Sequence, residues 1–119
     1  MQYHYTIFDM RVKNIPGVDD TKEWMLEVCE NFDLGVRDVA KITFPSPVPG
    51  GNAYTLVAVL TASHVAIHTS PEDEWVEVAF ACCRDLPKGE LLETVERFFK
   101  PAAVRVSSFT GSVPKDDVI

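Results

Sequence analysis

The sequence predicts a two-layer α+β sandwich: an antiparallel β-sheet with two helices packed on one face, formed by a single domain over residues 1–119. Three observations carry that reading. Six segments are rich in β-branched and aromatic residues, while two others carry apolar residues at helical spacing. Four of the strand-like segments follow one another through short connections, which antiparallel pairing permits and parallel pairing does not. The two amphipathic segments each present one apolar stripe and need a shared surface to bury it.

Taken in order, HYTIFDMRV (4–12) reads as the first strand, closed by the turn NIPG (14–17). Asp20 with Glu23 forms a capping-box pattern, and Met25, Val28, Cys29 and Phe32 follow at i, i+3, i+4, i+7, so a helix is expected there with Gly35 at its C-cap. VRDVAKITF (36–44) reads as the second strand, and PSPVPGGN (45–52) as a loop because of its prolines and glycines. YTLVAVLT (54–61), HVAIHT (64–69) and VEVAFACC (76–83) read as three successive strands. Pro87 suits the first turn of a second helix, with Leu91, Val95 and Phe98 on its apolar stripe and Pro101 ending it. AVRVSSF (103–109) is the last strand, and GSVPKDDVI (111–119) reads as a loose tail. The element order is therefore β-α-β-β-β-β-α-β.

Composition narrows the function classes. Of 119 residues, 46% are hydrophobic and 24% charged, the balance of a chain that can bury one core. The net charge of −7, with scattered Lys and Arg, argues against nucleic acid and anionic membranes as partners and is compatible with a cationic small molecule. No apolar run approaches the ~20 residues of a membrane helix. The N-terminal MQYHYTIFD lacks a signal-peptide pattern, so a cytoplasmic location is expected. Three cysteines, two of them adjacent, do not make a disulfide framework, and reduced thiols are expected.

The segment ASHVAIHTSPE (62–72) holds a serine and two histidines within an otherwise apolar stretch. The spacing of His64 and His68 would chelate a metal on a helix. On a strand the two lie ~13 Å apart at ~3.3 Å per residue, so no shared metal is expected. Each histidine, judged alone, reads as a hydrogen-bonded polar residue on the less buried sheet face. Ser63 has no G-x-S-x-G setting and does not read as a hydrolase nucleophile. Val76, Val78, Phe80 and Cys82 share one face of their strand and look like core, which leaves Cys83 on the more polar face where a thiol can act as an acid.

The same eleven residues resemble the processing-site signature E-S-H-x-x-I-H-T-[aromatic]-P-E of the prokaryotic S-adenosylmethionine decarboxylases. The resemblance extends over nearly the whole chain: an early histidine in the first strand, the YTLVAVLT strand, a strand ending in cysteine, and the closing K-P-x-x-V-x-V at 100–106. It implies a pyruvoyl-dependent enzyme of polyamine (spermidine) biosynthesis, made by self-cleavage between Ala62 and Ser63. In that scheme the Ser63 hydroxyl attacks the Ala62 carbonyl, His68 removes the Ser63 α-proton from the resulting ester, and the product becomes a pyruvoyl group that forms a Schiff base with the substrate. Cys83 matches the family's proton donor, Thr55 a hydroxyl near the processing site, and Glu72 a substrate-binding carboxylate. A homodimer with sites near its interface is implied as well.

The chain departs from the signature in three places. Ala62 replaces the glutamate before the cleaved bond, although the acyl shift uses that residue's carbonyl rather than its side chain. Ser70 replaces an aromatic residue that sandwiches adenine in the family, and PVPGG stands where the partner aromatic precedes the YTLVAVLT strand. Phe44 and Tyr54 are the candidate replacements, and each lost stack is worth ~1–3 kcal/mol. These departures leave open a decarboxylase of ornithine or arginine, or an unprocessed homologue acting as a binding partner. Because Cys82 and Cys83 are adjacent, a single gap in the correspondence would transfer the acid to Cys82.

Overall fold

The computed structural model describes residues 2–112. Along the chain lie β1 (Gln2–Arg11), α1 (Val18–Asn31), β2 (Val36–Phe44), β3 (Ala53–Leu60), β4 (Ser63–Ser70), a 3-10 turn (Pro71–Asp73), β5 (Trp75–Cys82), α2 (Lys88–Phe99) and β6 (Ala103–Ser112). The strands form one sheet in the order β2-β3-β4-β5-β1-β6, with every neighbouring pair antiparallel. The α+β sandwich and the element order read from the sequence both hold. The first strand is the one that local reasoning could not place: it inserts between β5 and β6.

Alternation along the strands decides which face the helices cover. Phe8 and Met10 on β1, Leu56 and Ala58 on β3, Val65 and Ile67 on β4, and Val76, Val78 and Phe80 on β5 are buried in one cluster with Met25, Val28 and Cys29 of α1 and Leu91, Val95 and Phe99 of α2. Trp24 joins the helices, stacking on Phe98 with ring centroids 5.0 Å apart and meeting Phe99 edge-on at 5.1 Å. Among the described residues, the opposite face carries no helix. Its middle is small and apolar, with Val57, Ala66 and Ala79 aligned across β3, β4 and β5. Toward its edges Ile42 is 58% exposed, Val59 47% and Phe109 54%.

Several local expectations shift. The helix α1 begins at Val18 with Gly17 as N-cap, so Asp20 lies in the first turn and caps nothing. The Thr21 hydroxyl instead donates to the Gly17 carbonyl at 2.9 Å. Gly35 is not the helix cap. Leu34 N–H already closes on the Cys29 carbonyl at 2.9 Å, and Asp33 takes the left-handed conformation with φ 54. Gly35, with φ +67, is needed for another reason: a Cβ there would sit 2.9 Å from Thr61 Oγ1. Pro87 is the N-cap of α2 rather than a first-turn residue, and the buried stripe runs Leu91, Val95, Phe99, leaving Phe98 at its edge. Gly111 and Ser112, expected in the tail, belong to β6, where the Tyr3 ring lies over Gly111 and fills its side-chain space. The rest of that tail, residues 113–119, lies outside the described residues.

Candidate functional site

The β3–β4 hairpin turns in two residues, Thr61 and Ala62, and the turn is tied down from behind. Thr61 N–H donates to the Gly35 carbonyl at 2.7 Å and Ala62 N–H to the Leu34 carbonyl at 3.4 Å. Ser63 leaves the turn with φ 137, a conformation that costs an L-residue on the order of 1–3 kcal/mol and persists only where surrounding structure enforces it. The carbonyl of Ala62, on the other side of the same peptide bond, accepts a hydrogen bond from Cys83 N–H at 3.1 Å. The Ser63 Oγ lies 3.3 Å from His64 Nδ1.

Cys83 stands one residue beyond the end of β5, exposed, while Cys82 is 2% exposed within the core. Of the pair, the structure buries Cys82 and exposes Cys83, which lies past the last strand residue rather than on a strand face. Burial pushes the Cys82 thiol up, with the Arg84 cation opposing and Cys83 adding to the shift. Arg84 fixes the exit of β5 by donating to the carbonyls of Phe32 at 3.0 Å and Asp33 at 2.7 Å. Ala62, Ser63, Cys82 and Cys83 line a shallow pocket of about 280 Å³ together with Tyr3 and Tyr5.

A second cluster occupies the other end of the uncovered face. His68 Nδ1 lies 2.7 Å from Thr55 Oγ1, its partner across β3–β4. Its ring is flanked by Phe44 at 6.4 Å and Trp75 at 5.7 Å between centroids. Trp75 Nε1 donates to Asp9 Oδ1 at 3.1 Å, and Glu77 is the register partner of His68 on β5. Ser70 Oγ lies 3.0 Å from Glu72 Oε1 and 2.9 Å from Asp73 Oδ2. Among the described residues, no three His, Cys, Asp or Glu side chains are grouped to hold a metal ion.

The residues singled out from the sequence therefore fall into two groups. Ala62, Ser63 and Cys83 come together, and Thr55, His68 and Glu72 lie toward the opposite end of β4. Five residues of strand separate Ser63 from His68, about 17 Å at ~3.3 Å per residue. Of the two candidate replacement rings, Tyr54 is excluded: it is 1% exposed, with its hydroxyl held by the Pro16 carbonyl at 2.9 Å and Thr21 Oγ1 at 2.7 Å, and burial raises its pKa to about 12. Phe44 is 45% exposed and stands at the His68 cluster. Trp75 escaped the sequence reading. It sits directly opposite Ser70 across β4–β5, and counting the register of that hairpin would have found it.

A serine in an enforced conformation at a hairpin turn, with a cysteine backbone amide on the preceding carbonyl and a thiol alongside, makes the N-terminal end of β4 the candidate site of this α+β sandwich. The chain belongs to the S-adenosylmethionine decarboxylase family, whose model, described as S-adenosylmethionine decarboxylase, matches residues 4–111. Membership supports an S-adenosylmethionine decarboxylase-like function, that of a carboxy-lyase. The crystal structure of the adenosylmethionine decarboxylase from Aquifex aeolicus VF5 shares the fold, with a TM-score of 0.71 at 22% sequence identity, covering 100% of this chain and 98% of that one. No curated protein matches the sequence significantly.

Proposed function

We propose that the chain is a self-processing, pyruvoyl-dependent S-adenosylmethionine decarboxylase of polyamine biosynthesis, cleaved between Ala62 and Ser63 and working as a homodimer. The observation that carries the reading is the Ala62–Ser63 peptide bond itself: Ser63 is strained at φ 137 while Cys83 N–H holds the Ala62 carbonyl at 3.1 Å. Attack by the Ser63 hydroxyl on that carbonyl relieves the strain and puts negative charge where an amide donor already points.

The site fits a pyruvoyl group, because position 63 offers the serine it is made from, at the rim of an open pocket. That group supplies an electrophilic carbonyl for a substrate amine and a sink for the electrons released with CO₂. Cys83, exposed at the same pocket, returns a proton to the substrate carbon that has lost CO₂. Cys82 borders the same pocket but is packed into the core, which withholds its thiol from that task.

Thr55 orients His68 through Nδ1, which leaves Nε2 to take the Ser63 α-proton after the acyl shift. At about 17 Å along one strand, His68 cannot reach Ser63 of its own chain. A second copy packed on the uncovered face resolves the separation. A two-fold axis crossing the strands near Ala66, midway between the two residues, brings each His68 to the other copy's Ser63. Ala66, Ala79 and Val57 at that level are small and apolar, as close sheet-to-sheet contact requires. Phe44, Trp75 and Glu72 travel with His68, so the rings offer adenine stacking and Glu72 a carboxylate for the substrate.

A second reading, a decarboxylase of ornithine or arginine, is favoured by one feature. Where the family has an aromatic residue, Ser70 gathers the carboxylates of Glu72 and Asp73, a setting suited to a cationic side chain. CO₂ release from S-adenosylmethionine, ornithine and arginine, measured side by side on the processed protein, separates the two. Preference for S-adenosylmethionine is expected, and preference for either amino acid would replace the substrate assignment.

A further inference from the structure

Resting on the self-cleavage reading, we infer that His64 is the base of the first cleavage step and acts within its own chain, so that the acyl shift and the later α-proton removal use different histidines. His64 Nδ1 stands 3.3 Å from Ser63 Oγ, whereas His68 is about 17 Å away along the same strand. The neutral tautomer protonated at Nε2 leaves Nδ1 as an acceptor for the serine proton. The His64 backbone is held from both sides, paired in register with Val59 on β3 and Ala81 on β5, and its exposed side chain is placed beside Ser63 by that strand position. The turn before it is anchored to Leu34 and Gly35.

The step balances without any co-reactant. The Ser63 O–H proton passes to His64 Nδ1 as Oγ bonds to the Ala62 carbonyl carbon. The negative charge falls on the Ala62 oxygen, where Cys83 N–H already donates at 3.1 Å. As the ring collapses, the bond from that carbon to the Ser63 nitrogen breaks, and the imidazolium returns its proton to that nitrogen. The peptide becomes an ester with a free Ser63 amine. Nucleophile, base and oxyanion donor all come from one chain, so this step is independent of assembly.

The experiment follows cleavage of freshly purified parent, His64→Ala and His68→Ala proteins by denaturing mass spectrometry, with and without hydroxylamine, which splits esters and spares peptides. An uncleaved parent would overturn the self-cleavage reading itself. With the parent cleaving, His64→Ala is expected to slow by ~10²-fold or more and to remain intact in hydroxylamine, because no ester forms. His68→Ala is expected to stall after the shift and to be split by hydroxylamine at Ala62–Ser63. His64→Ala cleaving at the parent rate, or stalling as a hydroxylamine-sensitive ester, would overturn the inference. His64→Gln carries the same expectations should the alanine chain fail to fold.

Discussion

The adjacent cysteines offer the sharpest dissection of the decarboxylation step. Cys82 is 2% exposed and points into the helix-covered core, whereas Cys83 is exposed at the pocket beside Ser63. Replacing Cys83 by alanine removes a thiol while leaving its backbone N–H on the Ala62 carbonyl, so self-cleavage should persist. Turnover should fall by ~10²–10⁴-fold, the cost of losing a general acid, or be diverted to abnormal protonation. Replacing Cys82 by alanine empties a volume of one sulfur atom in a packed interior. That costs about 1 kcal/mol, or roughly 3–6 °C in Tm for a chain of this size, with activity per folded molecule retained. The assay combines thermal unfolding with CO₂ release normalised to processed protein. Loss of turnover in Cys82→Ala with full turnover in Cys83→Ala would refute the assignment of faces to roles, and would mean that β5 changes register when substrate binds.

Two further outcomes follow. Ala66→Arg sets a charge against its symmetry mate at the centre of the uncovered face; an unpaired buried charge costs several kcal/mol, so the variant should sediment as a monomer and stall before release of residues 63–119. A monomer that still cleaves at the parent rate would contradict a site shared between copies. The Cys29 thiol is pushed by burial, with Cys82 adding, from 9.0 to about 11. Its contribution is complete below pH 9.0; above that the unfolded chain has lost the proton while the folded chain keeps it, so stability falls as pH rises to about 11, by on the order of 2 kcal/mol. Urea midpoints at about pH 8 and about pH 10.5 should therefore diverge less in Cys29→Ala than in the parent, and equal divergence would contradict the shift.

The fold was legible where periodicity is local. Alternation in β3, β4 and β5 and the helical stripes of α1 and α2 each report which face is buried, and short connections require antiparallel neighbours. The insertion of β1 between β5 and β6 was not legible, because both pairings close long loops that leave no local signature. Helix ends were misread for a related reason. Asp20 and Gly35 have the right residue types for caps, but the Pro16–Gly17 turn and the Cys29–Leu34 hydrogen bond set the ends instead. At the site, Ser63 and His68 read singly as ordinary polar strand residues, and it was the resemblance of residues 62–72 to the family signature that singled them out together with Cys83. That Ser63 and His68 lie at opposite ends of the face follows only from strand rise, and that Cys83 N–H reaches the Ala62 carbonyl follows only from the β4–β5 register.

Self-cleavage is the claim on which the decarboxylase reading stands, and the mass of the purified protein tests it most directly. Denaturing mass spectrometry should show two chains, residues 1–62 and 63–119, the second with an N-terminus blocked by a pyruvoyl group. A single species at 13.3 kDa that persists through long incubation would contradict the account.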